Sequence, residues 1–531
     1  MKFFSTSMEL IILLCLVTYS APGEVISGIV KAPNGAPLKG VFVQARSART
    51  NNITVSVLSD RQGRYRIENL SPGEYQIGIR ATDYESDPPG EIRAIAGSSV
   101  NLRLRSKKVR WSDLAPYQAY TILPEVEGKQ QFFNTCMNNC HAFTIQERWT
   151  REGWQGMISY MASLFPEKVD LAEGMKPVYL EYANAILTVD GPLPQSPADL
   201  SAYQKIKRVD FNDEAMRIVY VDYDMPTSSQ TMPMQFPFCA APDKDGNVWV
   251  PYRFLANKIA RLNPNTGEVR EFRIPNKGMA EIHMAVPATD GTVWFNEIRS
   301  DKIGKWDPRD QQITEFQAAP QLDREGILSN GYKNAIRIDS KGYVWSSGQP
   351  LTRFDPTTST FKYFLDAPQK TYGLAMDEAG NMWFTASQES KIGKVTEKTD
   401  KVTTYSTPSE KANPKRIQVD GDGNIWFTEH DADKIGRFDP KSETFKEYTL
   451  PGPFASPYAL GIDQNHDIWY ASRSRDVVGR LDADTGIVIE YPMPYSFNGG
   501  MREFFLDSQG RIWFGLPSHN KVGYFYLASG N

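Results

Sequence analysis

One phrase governs the C-terminal part of the chain: D-x-x-G-N-x-W-F, then K-I-G-R or K-I-G-K, then an acidic and aromatic stretch ending in Pro. The copies DKDGNVWV, TDGTVWFN, DSKGYVWS, DEAGNMWF, DGDGNIWF, DQNHDIWY and DSQGRIWF put tryptophans at 249, 294, 345, 383, 426, 469 and 513, at intervals of 38 to 51 residues. A unit of that length holds four short antiparallel strands and must stack on its neighbours to bury its apolar face. Seven copies therefore imply a seven-bladed β-propeller around a channel, spanning 214–531. The last copy ends at KVGYFYLASGN, one strand short of a blade. MRIVYVDYDMP, at 216–226, fits as that missing outer strand, so the two ends should close the ring together and leave no open sheet edge. The tryptophans read as packing between blades, with no catalytic role.

At 531 residues the chain exceeds one hydrophobic core, and about three domains are expected. Residues 25–106 alternate apolar and polar positions in short runs (SGIVKA, GVFVQARS, TVSVLSD, GRYRIENL, GEYQIGIRA) broken by Asn, Gly, Pro and Asp, the pattern of a small all-β sandwich. The order GIV, PLKGVFV, then SDRQGRYRIENLSPGEYQIGIRA resembles the carboxypeptidase regulatory-like domain, a transthyretin-like sandwich. That resemblance implies an accessory or adhesion module whose Gly and Pro residues make turns. Ahead of it, residues 1–22 carry Lys2, the apolar run LIILLCLV and the small residues Ser20 and Ala21, the build of a signal peptide. The expectation is export to a periplasmic or secreted location without a membrane span, since the apolar core is too short to cross a bilayer comfortably. Cys15 lacks the small preceding residue of a lipid-anchor box. Net charge is −4, from 59 basic and 63 acidic residues without a long charge run, so nothing in the balance suggests a nucleic-acid partner and none is expected. The densest basic cluster, Arg103, Arg105, Lys107, Lys108 and Arg110, reads as a solvated linker.

Residues 107–200 change character. Trp154, Met157, Ile158 and Met161 follow i, i+3, i+4, i+7 spacing within an amphipathic helix over 146–165, and a second helix opens at Pro177 with Val178, Tyr182 and Ile186 on one face. Near the front stands NTCMNNCHAF, residues 134–143. The haem-attachment signature is C-x-x-C-H, and here three residues separate Cys136 from Cys140. In the haem reading, Cys136 and Cys140 form thioethers, His141 is the proximal ligand, and a methionine, Met161 first, with Met157 and Met175 as alternatives, completes the iron coordination of a haem c. In a second reading the two cysteines close a small disulfide loop; in a third they hold zinc, for which a fourth nearby ligand is missing. The helical surroundings favour haem, and the closing stretch VYLEYANAIL with DGPLP resembles the last helix of c-type cytochromes. A small α-helical cytochrome c-like domain is the expectation.

In a propeller blade the start of the inner strand and the end of the next strand meet at one rim. GMAEIHMAVPATDGTVWFNE thereby brings Glu281 and His283 beside Asn296 and Glu297. Tyr332, Lys333, Tyr372, Arg416, Glu429, His430, Tyr458 and Arg502 come to the same face from other blades. His430, beside Asp431 and Asp433, reads as the weaker histidine, His466 and His519 as turn residues, and Cys239 as a packed thiol. The repeats, with WFTE, DKIGRFDP and KEYTLP in blade five, are similar to those of the virginiamycin B lyases (streptogramin lyases). That family opens a cyclic depsipeptide by elimination, using a divalent ion such as Mg2+ at the channel mouth, and its site has an A-E-x-H segment and a second glutamate. The resemblance implies metal ligation by Glu281 and Glu297 and acid–base work by His283, with Asn296, Tyr332, Tyr372, Arg416, His430 and Arg502 as a substrate rim. Phe238 stands where the family has a further histidine, and the family's glutamate–histidine blade comes late in its chain, whereas here it is the second of seven.

The features together describe an exported, mainly β protein with a sandwich, a cytochrome c-like domain and a lyase-like propeller. Its rim is expected to take a small-molecule or peptide-like ligand while the haem serves a redox partner protein. The alternative is a divalent-metal-dependent carbon–oxygen lyase of the virginiamycin B lyase type, opening a cyclic ester or depsipeptide.

Overall fold

Local turn chemistry explains the repeat. In a computed structural model, which describes residues 23–529 apart from 91, 134–147, 165–177, 207–208, 228–235, 254–255, 279, 319–332 and 497–499, each copy of the phrase is a strand-linking turn. Residues 1–22, where a signal peptide was expected, the Cys136, Cys140 and His141 segment and Tyr332 lie outside the described residues, as does the side chain of Met161. In blade five, Asp420 Oδ1 accepts the backbone N–H groups of Asp422 (3.0 Å) and Asn424 (2.8 Å), and Oδ2 accepts the Trp426 indole N–H (2.8 Å). Gly423 takes the left-handed conformation (φ 85°) that this turn requires. The same aspartate-to-indole bond anchors Trp249, Trp345, Trp383, Trp469 and Trp513, while blade two has Ala288 in the aspartate's place. The K-I-G glycine has a separate cause: a Cβ on Gly436 would sit 2.3 Å from the Phe427 ring of the adjoining strand.

Six four-stranded sheets run in order through 241–273, 282–317, 333–364, 371–406, 414–449 and 457–492, each built of successive antiparallel strands. The tryptophans fill the space between them. Trp426 stacks on Tyr448 of its own outer strand at 5.6 Å, and Trp383 packs on Phe438 of the following blade at 5.9 Å. Phe505–Leu506, Ile512–Leu516 and Lys521–Leu527 form the seventh blade, and Ile218–Asp224 supplies its fourth strand, with Tyr220 opposite Phe525. The first inner strand touches the seventh, which closes the ring.

The sandwich is not a detached module. Its two sheets take strands 64–70, 24–31, 102–106 and 84–86 on one side and 53–58, 42–47, 74–80 and 92–95 on the other. Ile53–Leu58 pairs with the far edge of Ile218–Asp224, Val55 opposite Val221, so one eight-stranded sheet runs from blade seven through the sandwich. Phe42 and Leu58 share a core with Tyr220, Trp469, Phe514 and Phe525. The edge that would otherwise be open is thereby covered. The basic cluster is solvated as expected, with Arg103, Arg105, Lys108 and Arg110 exposed, but Arg103 and Arg105 lie on strand Leu102–Ser106, and the half-buried Lys107 pairs with Asp113.

Four short helices, α1 (Pro116–Ile122), α2 (Lys129–Phe132), α3 (Arg151–Leu164) and α4 (Val178–Ile186), form a small helical subdomain. Phe132, Trp154, Ile158, Tyr182 and Ile186 are buried in its core. It rests on the propeller: Tyr117 N–H donates to the Ser474 carbonyl (3.0 Å), and the Tyr120 and Phe133 rings pack on Phe454 at 5.3 and 5.2 Å. Among the described residues no helix is long and apolar enough to cross a membrane.

Candidate functional site

The inner strands carry a ring of stitches. Asn296 Oδ1 accepts the Met284 N–H (3.0 Å) while its Nδ2 donates to the Asn334 carbonyl of the next blade (2.9 Å). Ser347, Thr385 and Thr428 repeat this pattern, taking the N–H of Ala335, Gly373 and Arg416 and reaching the carbonyls of Tyr372, Lys415 and Tyr458. Both ends of the Asn296 amide are thus engaged and fully buried, which takes Asn296 out of the expected substrate rim and makes it an inter-blade clamp.

The stitches fix which side chains reach the channel. One layer consists of Phe238, His283, Tyr372, Lys415, Tyr458 and Arg502. Its members meet across blades: Phe238 and His283 have ring centroids 4.3 Å apart, His283 and Tyr372 6.5 Å, Tyr372 and Tyr458 6.1 Å. The two tyrosine hydroxyls hydrogen-bond to each other, and Arg502 Nη1 donates to the Tyr458 oxygen at 2.9 Å. In the next layer Glu503, from the start of blade seven, binds Arg337 of blade three (2.7 Å) and Arg416 of blade five (2.5 Å). Arg416 therefore belongs to a bridge across the channel, and it also underlies Tyr372 (5.0 Å) and Tyr458 (5.7 Å). Arg473 stands 5.4 Å from the Tyr458 ring. Burial alone would raise the Tyr458 hydroxyl, but Arg502, Arg416 and Lys415, with the hydrogen bond from Tyr372, bring it down to about 6.

The glutamates expected to hold a metal have other partners. Glu281 is fully buried in left-handed backbone (φ 51°); Oε1 receives Arg253 Nη2 at 2.5 Å and Oε2 receives Arg299 Nε at 2.7 Å. Glu297, opposite Ile282, accepts Asn276 Nδ2 (2.8 Å) and Ser300 Oγ (2.5 Å) on one oxygen. Burial, aided by the neighbouring Glu315, raises Glu297 to about 7 against those two bonds. Blade five repeats the arrangement, with Glu429 beside Glu447 raised to about 8 by burial and by that second carboxylate. A divalent ion of the magnesium type requires several oxygens with open lone pairs. Both Glu281 oxygens are committed to guanidinium groups, and among the described residues no three His, Cys, Asp or Glu side chains converge to hold an ion. The donor set does not fit the metal.

His430, expected as an unremarkable surface histidine in a loop, is buried. It is 2% exposed, its Nδ1 lies 2.6 Å from Asp431 Oδ1, and its ring stands edge to face with Tyr458 at 5.7 Å. Asn413 Nδ2 holds the other Asp431 oxygen (2.9 Å), and Lys415 Nζ donates to Asn413 Oδ1 (2.7 Å). Burial above all, with Lys415 and Arg473 adding, pushes His430 down to about 4 despite Asp431. Lys333 pairs instead with Asp301 (3.2 Å). Arg253, Arg299, Arg337, Asp431, Arg473 and Glu503 were not anticipated; the arginine following Ser472 and the Arg-Glu pair at 502 and 503 were the available signals. Two cavities, of about 810 and 940 Å³, lie between sandwich and propeller and do not touch these residues.

Comparison with known proteins places the chain by segments. Residues 359–529, from the outer strand of blade three through blade seven, match the virginiamycin B lyase family, and residues 25–106 match the carboxypeptidase regulatory-like domain. The matched propeller segment begins after Glu281, His283 and Glu297. A streptogramin B lyase structure superposes with a TM-score of 0.52 at 26% identity, covering 60% of this chain and 100% of that one. Virginiamycin B lyase from Staphylococcus aureus gives 0.50 at 24% identity, covering 58% of this chain and 99% of that one. A catalytically inactive variant of the same enzyme with quinupristin gives the same values. No curated protein matches the chain. The chain thus combines a virginiamycin B lyase-like propeller with a carboxypeptidase regulatory-like domain and a helical subdomain between them.

Proposed function

We propose that the propeller binds a small carboxylate-bearing, peptide-like molecule at its channel mouth, in a protein exported by the leader at 1–22. One observation carries this reading: Arg416, 1% exposed, stands 5.0 Å from the Tyr372 ring and 5.7 Å from the Tyr458 ring, and its Nη1 and Nη2 have no hydrogen-bond partner among the described residues. Buried cations require counter-charge. Glu503 is already shared between Arg416 and Arg337, and the Tyr458 oxygen, whose hydroxyl is brought down to about 6, accepts Arg502 Nη1. A ligand carboxylate would satisfy Nη1 and Nη2 of Arg416, and the tyrosine and phenylalanine rings would take its apolar part. Thermal-shift titrations with acylated amino acids and their neutral amides, at matched ionic strength, test this. Stabilisation by the acids only, lost in Arg416→Met, is expected; equal response to acid and amide removes the proposal.

The alternative reading, magnesium-dependent opening of a cyclic ester, has in its favour the likeness to streptogramin B lyase and the Glu281, His283, Glu297 spacing. The Glu281 ion pairs oppose it. Chelator-sensitive consumption of quinupristin would establish it. Haem attachment at Cys136, Cys140 and His141 is a separate proposal, supported by the motif and by the helical setting around it, with electron exchange with a partner protein as its use. A haem absorbance that survives denaturation, together with the added haem mass on the cysteine peptide, is its test; an unmodified peptide after expression with a haem-maturation system ends it.

A further inference from the structure

The mouth contains a side-chain pair that neither the metal nor the anion reading employs. His430 lies at the end of strand Ile425–Glu429 and Asp431 follows it, pinned by Asn413 from the start of the inner strand. An ionised carboxylate only accepts, so the 2.6 Å contact assigns the imidazole proton to Nδ1. Nε2 is then left as an acceptor. It is buried and has no hydrogen-bond partner among the described residues. A second buried group has the same property: Arg416 uses Nε for the Arg502 carbonyl and Glu503, and its Nη1 and Nη2 find no acceptor among the described residues. Both groups stand against Tyr458, His430 with ring centroids 5.7 Å apart and the Arg416 guanidinium carbon 5.7 Å from the ring centroid. Unpaired buried donors and acceptors are costly, and two of them around one ring mark a place where a ligand's polar groups fit.

We propose that His430 and Asp431 form a recognition dyad in which His430 Nε2 accepts a hydrogen bond from a hydroxyl or amide N–H of the ligand while Arg416 takes its carboxylate. The inference rests on the anion reading and deepens it, since it selects hydroxy- or amido-carboxylates over plain carboxylates. The acceptor state does not depend on mild acidity. Asp431, Lys415, Arg473 and Tyr458 are the titratable and charged groups around the ring, and burial with the two cations keeps it neutral down to about pH 4. Asp431 sets the tautomer, which makes it a positioning residue.

The test uses the full chain and paired probes: mandelate against phenylacetate, and lactate against propionate, measured by calorimetry at pH 7. The hydroxy acid of each pair is expected to bind about tenfold more tightly, the fold-change of one satisfied buried hydrogen bond. In His430→Phe, which keeps an aromatic edge against Tyr458, the ratio should fall to about one. Asp431→Asn can donate to Nδ1, moves the proton to Nε2, and should lower the ratio likewise. Nitrogen-15 NMR of the wild-type imidazole should show the Nδ1–H tautomer, independent of any ligand. Equal binding within each pair overturns the dyad and leaves the anion reading standing; binding of neither member overturns both. A preference that survives in both variants assigns the recognition to another residue.

Discussion

Replacing Glu281 by Gln separates a structural brace from a metal ligand. The Glu281 carboxylate is fully buried and receives one N–H from Arg253, whose side chain is 12% exposed, and one from Arg299, 30% exposed. A hydrogen bond to a charged group contributes about 1.5–3 kcal/mol. The Arg299 bond belongs at the low end because solvent screens it. Gln keeps one acceptor oxygen but turns its NH₂ toward the second guanidinium, donor against donor, so one bond is lost and one weakened. The expected loss is about 3 kcal/mol, in line with breaking a buried pair. With a urea slope of about 3 kcal/mol per M, the unfolding midpoint should fall by about 1 M, read by tryptophan fluorescence. Mg2+ should change neither protein. A midpoint shift under about 0.2 M, or stabilisation by Mg2+ of the wild type but not of the variant, would show that the carboxylate serves an ion, and the brace argument would be wrong.

Three further outcomes are expected. Arg502, Arg416, Lys415, Arg473, Tyr372 and His430 surround Tyr458, whose folded pKa is lowered to about 6, so its contribution to stability should grow as pH rises from about 6 toward the ordinary tyrosine range and be absent below. An ultraviolet titration should show one tyrosinate forming near pH 6 that is missing in Tyr458→Phe; no ionisation below about pH 8 contradicts the charge arrangement. Asp420→Ala removes the acceptor of Trp426 Nε1–H and of two turn N–H groups and should lower stability by about 2 kcal/mol in denaturant titration, without unfolding the chain, since blade two already carries Ala288. Val55→Pro, in the sandwich, should speed hydrogen exchange in Ile218–Asp224 of blade seven; unchanged exchange there would mean that the joint sheet carries no coupling.

The anchor, the mouth and the sheet differ in how far sequence could reach. The D-x-x-G-N-x-W phrase is legible because every bond that it needs lies within six residues: the aspartate closes its own turn and holds its own tryptophan. The outer strand at 218–224 was legible from its alternation and from the incomplete last blade. His430 was not. Beside two aspartates in a loop it reads as a surface residue, but Tyr458 of the next blade stands against its ring, and burial, with Lys415 of its own blade and Arg473 of the next, holds it neutral. Asn296 was assigned to the correct end of its strand, yet the neighbouring blade's Asn334 carbonyl decides that it clamps and does not face a ligand.

Periodicity and turn chemistry are local, so the chain by itself determined seven blades, their strands and a sandwich in front of them. Burial, charge pairing and edge pairing join residues hundreds of positions apart. Only the tertiary structure could decide that Glu281 is neutralised by Arg253 and Arg299, that Glu503 bridges the channel, and that the sandwich continues the sheet of blade seven. The type of blade follows from each repeat alone; the chemistry of the mouth follows from which repeats stand opposite one another.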